Sequence, residues 1–122
     1  MQVKDIYENA LAMDIARMDD DEEMEFFAIK LFNVLLYEAK AYNDQIRLKK
    51  GLMALEAVPK ICSVEDEMPF EPEMYAPLSY GLAAKLLTAQ QEINQATIYN
   101  SQYLELLESA TPYVAMEVRD EW

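Results

Sequence analysis

Apolar residues recur at helical spacing along most of the chain, and breaks in that rhythm divide it into four helical stretches and one irregular connection. Val3, Ile6, Tyr7, Ala10 and Leu11 mark one face of a first helix, with Met13, Ile15 and Met18 extending it, so the spacing predicts a helix over 3–17. Six of the seven residues from Asp19 to Glu25 are acidic, and stacked like charges would oppose a continuous helix, which predicts a turn at 19–22. Glu22, Glu23 and Glu25 then suit the first turn of a second helix, where carboxylates meet the positive end of the backbone dipole. From Glu23 to about Leu48, Phe27, Leu31, Val34, Leu35 and Ala39 form one face, broadened by Phe26, Ile29, Phe32 and Leu36. A stripe this wide predicts a central helix buried on more than one side, ending at Lys49-Lys50-Gly51.

Pro59, Pro69, Pro72 and Pro77 deny a long helix after Gly51, so about 52–76 reads as a long, partly extended connection anchored by Val58, Ile61, Val64 and Phe70. It is expected to be ordered at Ile61 and mobile near Glu71. Helical spacing returns at Pro77 through Leu78, Leu82, Ala83, Leu86 and Leu87. Thr88-Ala-Gln-Gln91 matches a capping box and predicts a new helix carrying Ile93, Ala96, Tyr99, Tyr103, Leu106 and Leu107; one unbroken helix over 76–109 is the alternative. The expected fold is a small all-α bundle of about four helices over 1–111, followed by an extended tail, 112–122.

Charge and composition narrow the chemistry. Across 122 residues there are 10 basic and 23 acidic side chains, a net charge of −13, and no histidine. Serine–histidine and cysteine–histidine catalysis are therefore closed to this chain, and so is histidine-based zinc ligation. A pI near 4.2 opposes ordinary binding to nucleic acid, which draws its affinity from lysine and arginine. Cys62 stands alone, which excludes an intramolecular disulfide, and it reads as a small buried apolar residue. No secretion signal or run of about 18 apolar residues occurs, so a soluble, unexported protein is expected.

The acidic clusters lack the architecture of a site. Asp19-Asp20-Asp21-Glu22-Glu23 has neither the spaced aspartates nor the glycine of a calcium loop, and reads as a solvated turn and helix start. Glu65-Asp66-Glu67 reads as a solvated loop or a partner-facing patch. Gly51 and Gly81 are isolated, which excludes phosphate-binding glycine loops. No metal or cofactor is expected, and a metal-dependent hydrolase would need a carboxylate cluster in a pocket that nothing in the sequence announces.

Tyr37, Tyr42, Tyr99 and Tyr103 suit either a core edge or an interface. Apolar residues make up 52% of the chain, high for so acidic a domain, and the tail adds Tyr113, Val114, Met116, Val118 and Trp122. Those five residues are the expected contact with another subunit.

The order of segments is distinctive: VKDIYENAL, an acidic break, LFNVLLYEAKAYND, VPKICSVEDEMPF, APLSYGLAAKLL, and NSQYLELLESA. Over roughly 3–110 it resembles the small adaptor, or head–tail connector, proteins of tailed bacteriophages and prophages, most specifically at Leu78–Leu87 and Ile61–Pro69. The resemblance implies an all-α, non-enzymatic virion protein that assembles as a ring beneath the portal, extends the DNA channel and receives tail or head-completion proteins. It would act at the head–tail interface and pass through the host cytoplasm during assembly, as a ring once assembled and as a monomer alone. Asp19, Asp20, Asp21, Glu22, Glu65, Asp66 and Glu67 would line the channel, where negative charge keeps DNA from adhering. Tyr113, Val114, Met116, Val118 and Trp122 would contact the portal or a neighbouring subunit. The competing expectation is a small acidic regulatory protein, a DNA mimic or inhibitor encoded by a phage or prophage, whose carboxylates would gather on one face of a monomer or dimer.

Overall fold

A computed structural model of the protein describes residues 1–13 and 21–110. It contains α1 (Val3–Leu11), α2 (Asp21–Lys49), α3 (Tyr75–Ala89) and α4 (Ile93–Ala110), with a single 3-10 turn, Pro72–Met74, leading into α3. The fold is the expected all-α bundle with its long connection; residues 112–122, expected to form an extended tail, lie outside the described residues.

Helix α1 buries Val3, Ile6, Tyr7 and Ala10, and the Gln2 N–H donates to the Asp5 carboxylate at 3.1 Å to start it. It ends at Leu11 rather than at 17. Met13 N–H turns back to the Ala10 carbonyl at 3.0 Å and tightens the last turn, with no glycine or proline to announce the stop; 14–17 lie outside the described residues.

The buried stripe of α2 runs through Met24, Ala28, Phe32, Leu35, Leu36, Ala39, Asn43 and Ile46. This helix was expected to be central and is not. Phe26, Phe27, Val34 and Tyr37 face solvent, because neighbours cover one side only. The central position belongs to α3, which buries Leu78, Ser79, Gly81, Leu82, Ala83, Ala84, Leu86 and Leu87 against α1, α2 and α4. Small residues permit that closeness: a Cβ on Gly81 would lie 2.8 Å from Leu35 Cδ1 and 3.0 Å from the Tyr103 ring.

Gly51, at φ 81°, closes α2 as expected, with Leu52 N–H reaching the Arg47 carbonyl at 2.8 Å. Helices α3 and α4 are separate. Gln91 adopts φ 64°, Glu92 N–H reaches the Leu87 carbonyl at 2.9 Å and Gln91 N–H the Thr88 carbonyl at 3.0 Å, a Schellman ending without its usual glycine. Thr88 therefore finishes α3 instead of starting α4: its hydroxyl donates to the Ala84 carbonyl at 2.8 Å, and the expected capping box does not form.

The connection has no regular element before Pro72, yet it is anchored throughout. Ile61, Val64, Met68 and Phe70 are buried. Its backbone groups are received by polar side chains of α2: Ile61 by Asn33, Leu55 N–H by Asp44 at 3.0 Å and Glu71 N–H by Asn43 at 2.7 Å. In return the connection caps α1, whose Val3 and Lys4 N–H groups donate to the Asp66 and Val64 carbonyls at 2.9 and 2.6 Å. Glu71, expected in a mobile stretch, is instead held by Arg47 and Lys50, each at 3.2 Å.

Candidate interaction surface

The outward side of α2 is the least expected surface of the molecule. Phe27, Lys30, Val34, Tyr37, Ala41, Gln45 and Leu48 follow one another at three- and four-residue steps, so they share a face pointing away from the buried stripe. Tyr37 is 73% exposed, Phe26 64% and Val34 49%. From Phe26 to Tyr37 the sequence contains no acidic residue and one lysine, in a chain of net charge −13. Lys30 lies over the Phe26 ring, its Nζ 4.6 Å from the ring centre, so even that charge partly covers apolar surface. Glu38, at the edge, is neutralised by Lys85 of α3 at 3.1 Å.

Beside this face the surface is indented. A recess of about 470 Å³ between the start of α2 and the end of α3 is lined by Met24, Phe27, Leu86 and Ala89, among others. A second, of about 370 Å³, continues from Ala89 past Leu31 and Val34 to Asn100 of α4. On the other flank of α2, a third recess of about 500 Å³ is more polar and brings Glu22, Glu25 and Lys30 to the connection at Lys60–Val64. The start of α2 and the Glu65–Glu67 cluster therefore lie at the same end of the bundle.

That end holds part of the expected acidic patch, with differing roles. Glu22, Glu65 and Glu67 are exposed, and Glu67 meets the Met1 amino group at 3.6 Å. The Asp66 carboxylate is occupied locally: one oxygen accepts the Cys62 and Ser63 N–H groups at 2.8 and 3.1 Å and closes the turn. Asp21 opens α2, and Asp19 and Asp20 lie outside the described residues, as do Tyr113, Val114, Met116, Val118 and Trp122. Cys62 is exposed, not buried as expected, because the turn closed by Asp66 points it outward while its neighbour Ile61 takes the core position.

Among the described residues, no three cysteine or carboxylate side chains converge as metal ligands, and no helix is long and apolar enough to cross a membrane. The tyrosines differ in burial. Tyr7 and Tyr103 are buried, Tyr80 and Tyr99 pack ring to ring at 6.0 Å on the core edge, and Tyr37 projects from the α2 face. Sequence reading missed that face because its residues were assigned to the core. The available signal was the width of the apolar arc combined with the absence of acid between Phe26 and Tyr37. No family model matches the chain, nor does any curated protein or solved structure.

Proposed function

We propose that the protein is a non-enzymatic structural component that assembles in several copies, an adaptor ring between the portal and tail of a bacteriophage. The observation that carries this reading is the exposed, acid-free apolar face of α2 on an otherwise strongly acidic chain. Two copies repel each other through most of their surface, and this face is where the repulsion is weakest and the gain from burying apolar area greatest. Aromatic and aliphatic side chains with few charges are also the composition of interface centres. The exposed carboxylates Glu22, Glu65 and Glu67 at one end of the bundle suit a wall that DNA passes without adhering.

The test is sedimentation of the full chain alone and mixed with a portal protein from the same genome. The expected result is a defined complex with the portal containing several copies of the chain, lost in Tyr37→Asp while helical circular dichroism is unchanged. A chain that ignores the portal and instead displaces duplex DNA from a basic enzyme is a DNA mimic, and the adaptor reading fails.

A further inference from the structure

Helix α4 carries a second exposed surface without charge. Residues 93–104 form the longest run in the chain free of lysine, arginine, aspartate and glutamate, and α4 as a whole has two acids, Glu105 and Glu108, and no base. Asn94, Ile98, Ser101 and Glu105 follow one another at four- and three-residue steps on one exposed flank, where Ile98 is 60% exposed. Asn100, by contrast, borders the recess shared with α2. Ile98 lies two positions, about 200°, away from it around the helix, so the Ile98 flank is turned from α2. We propose that the α2 face of one copy packs antiparallel on this α4 flank of the next copy, with Lys30 against Glu105, Val34 against Ser101 and Tyr37 against Ile98. The inference rests on the assembly reading above and names the two surfaces that meet.

Spacing, charge and direction select this pair. From Lys30 the α2 face steps four residues to Val34 and three more to Tyr37, about 10 Å in all. From Glu105 the α4 flank steps back four to Ser101 and three more to Ile98, over the same rise of about 10 Å. Antiparallel helices that share this four–three rhythm stay in register across both turns. Ser101, a small residue, falls opposite Val34 at the middle and lets the backbones approach there.

Between Phe26 and Tyr37 the one charge is the positive Lys30, whereas the α4 flank ends in the Glu105 carboxylate and has no cation to oppose it. Elsewhere two chains of −13 meet mostly acid against acid. Direction separates a second copy from the same chain: a flank turned from α2 cannot cover its own α2 face. A ring also requires each copy to present two different patches, one to each neighbour. An unrelated partner would account for one of the two uncharged surfaces; a second copy accounts for both.

The test uses full-length chains in which Cys62→Ser removes the native thiol. One carries Tyr37→Cys, another Ile98→Cys; they are mixed and oxidised mildly, and the 37–98 cross-linked peptide is quantified by mass spectrometry. The expected yield is about ten-fold or more above that obtained when Asn100→Cys, exposed on the other flank of α4, replaces Ile98→Cys. Lys30→Glu in the first chain or Glu105→Lys in the second should lower the yield several-fold, and the two together should restore it, a recovery that damaged folding cannot produce. A yield equal to the Asn100→Cys control, a dominant 37–37 link, or no recovery in the paired charge exchange overturns the proposal. If the 37–98 link fails while several copies of the unmodified chain still assemble on the portal, the contact assignment falls and the adaptor reading stands. If the link forms and the portal is ignored, the adaptor reading falls and the contact between copies stands.

Discussion

Asn33 holds the backbone of Ile61 in both directions: its amide donates to the Ile61 carbonyl at 2.9 Å, and its carbonyl oxygen accepts the Ile61 N–H at 2.8 Å. The pair does for the connection what a neighbouring strand would do in a sheet, and it sets the depth to which Ile61 enters the core. Asn33→Ala removes both bonds and leaves two backbone groups of a largely buried residue unpaired. The expected loss is about 2 kcal/mol of unfolding free energy, read from urea denaturation. Asn33→Asp should cost as much or more at neutral pH, since a carboxylate retains the acceptor but faces the Ile61 carbonyl with negative charge.

Gly81 sets how closely three helices approach. Alanine there would ordinarily stabilise a helix by about 0.5–1 kcal/mol. Its methyl group would press on Leu35 and Tyr103, both buried, and displacing them costs about 1–3 kcal/mol. Gly81→Ala should therefore be net destabilising by about 1–2 kcal/mol, and Gly81→Val more severely so. A rise in melting temperature for Gly81→Ala would show that the α2–α3–α4 junction yields easily.

The opposite result is expected at Gln91. Its left-handed backbone carries a steric cost of about 1–2 kcal/mol for a residue with a side chain, which glycine relieves in part. Gln91→Gly should raise stability by roughly 0.5–1 kcal/mol, after allowance for the greater entropy of glycine in the unfolded chain.

What could be read from the sequence depended on how local the determining force was. The break between α3 and α4 and the stop at Gly51 were legible, since both arise from hydrogen bonding within a few residues. The assignment of Thr88 to a helix start failed because Thr88 has two local partners available, and the Ala84 carbonyl behind it took the hydroxyl. The role of α2 failed for a tertiary reason. Phe26, Phe27, Val34 and Tyr37 have the right periodicity for a core, and only the positions of α3 and the connection decide that nothing in the described bundle covers them. Glu71 looked like one more loop carboxylate, and its partners Arg47, Lys50 and Asn43 lie 21 to 28 residues away. The exposed half of the candidate surface was hidden from periodicity because apolar residues at helical spacing read alike whether the fold covers them or leaves them open.

Tyr103 predicts the alkaline limit of the fold. Burial, then the nearby Glu38 and Tyr42, push its phenol well above the ordinary value of 10.0. Below pH 10 the phenol is protonated in both folded and unfolded chains and has no effect on the pH dependence. Above that, the unfolded chain releases the proton and the folded chain retains it, so stability falls as pH rises toward the folded-state value. Tyr75 acts in the same direction through burial and the charges of Glu67 and Glu71. Tyr103→Phe should reduce the slope of stability against pH above 10 by up to about 1.4 kcal/mol per pH unit, measured by urea unfolding between pH 9 and 11.

The junction between the end of α2 and the Pro72 turn predicts the acid limb, and there a distinction between two cations becomes testable. Lys50 bonds Glu73 at 2.8 Å and Glu71 at 3.2 Å, whereas Arg47 bonds Glu71 and also donates from Nε to the Met53 carbonyl at 2.7 Å. The Lys50 bond holds the Glu73 carboxyl below its ordinary value of 4.5. The folded chain then binds fewer protons at that site than the unfolded one, so its contribution is present at neutral pH and lost as pH falls through the lowered value. Lys50, raised in turn by Glu73, contributes up to the alkaline range and loses that contribution only as pH rises above 10.5. Both side chains are well exposed, so the effect should be small and should shrink further in 0.5 M NaCl. Lys50→Met is expected to flatten the stability profile between pH 3 and 5 with little change at its maximum. Arg47→Met should lower stability across the whole range and more than Lys50→Met, because it also frees the backbone of Met53. If the two variants unfold alike at every pH and salt concentration, the difference in their bonding has no energetic consequence, and the junction is held by the buried side chains of Phe70 and Met74 alone.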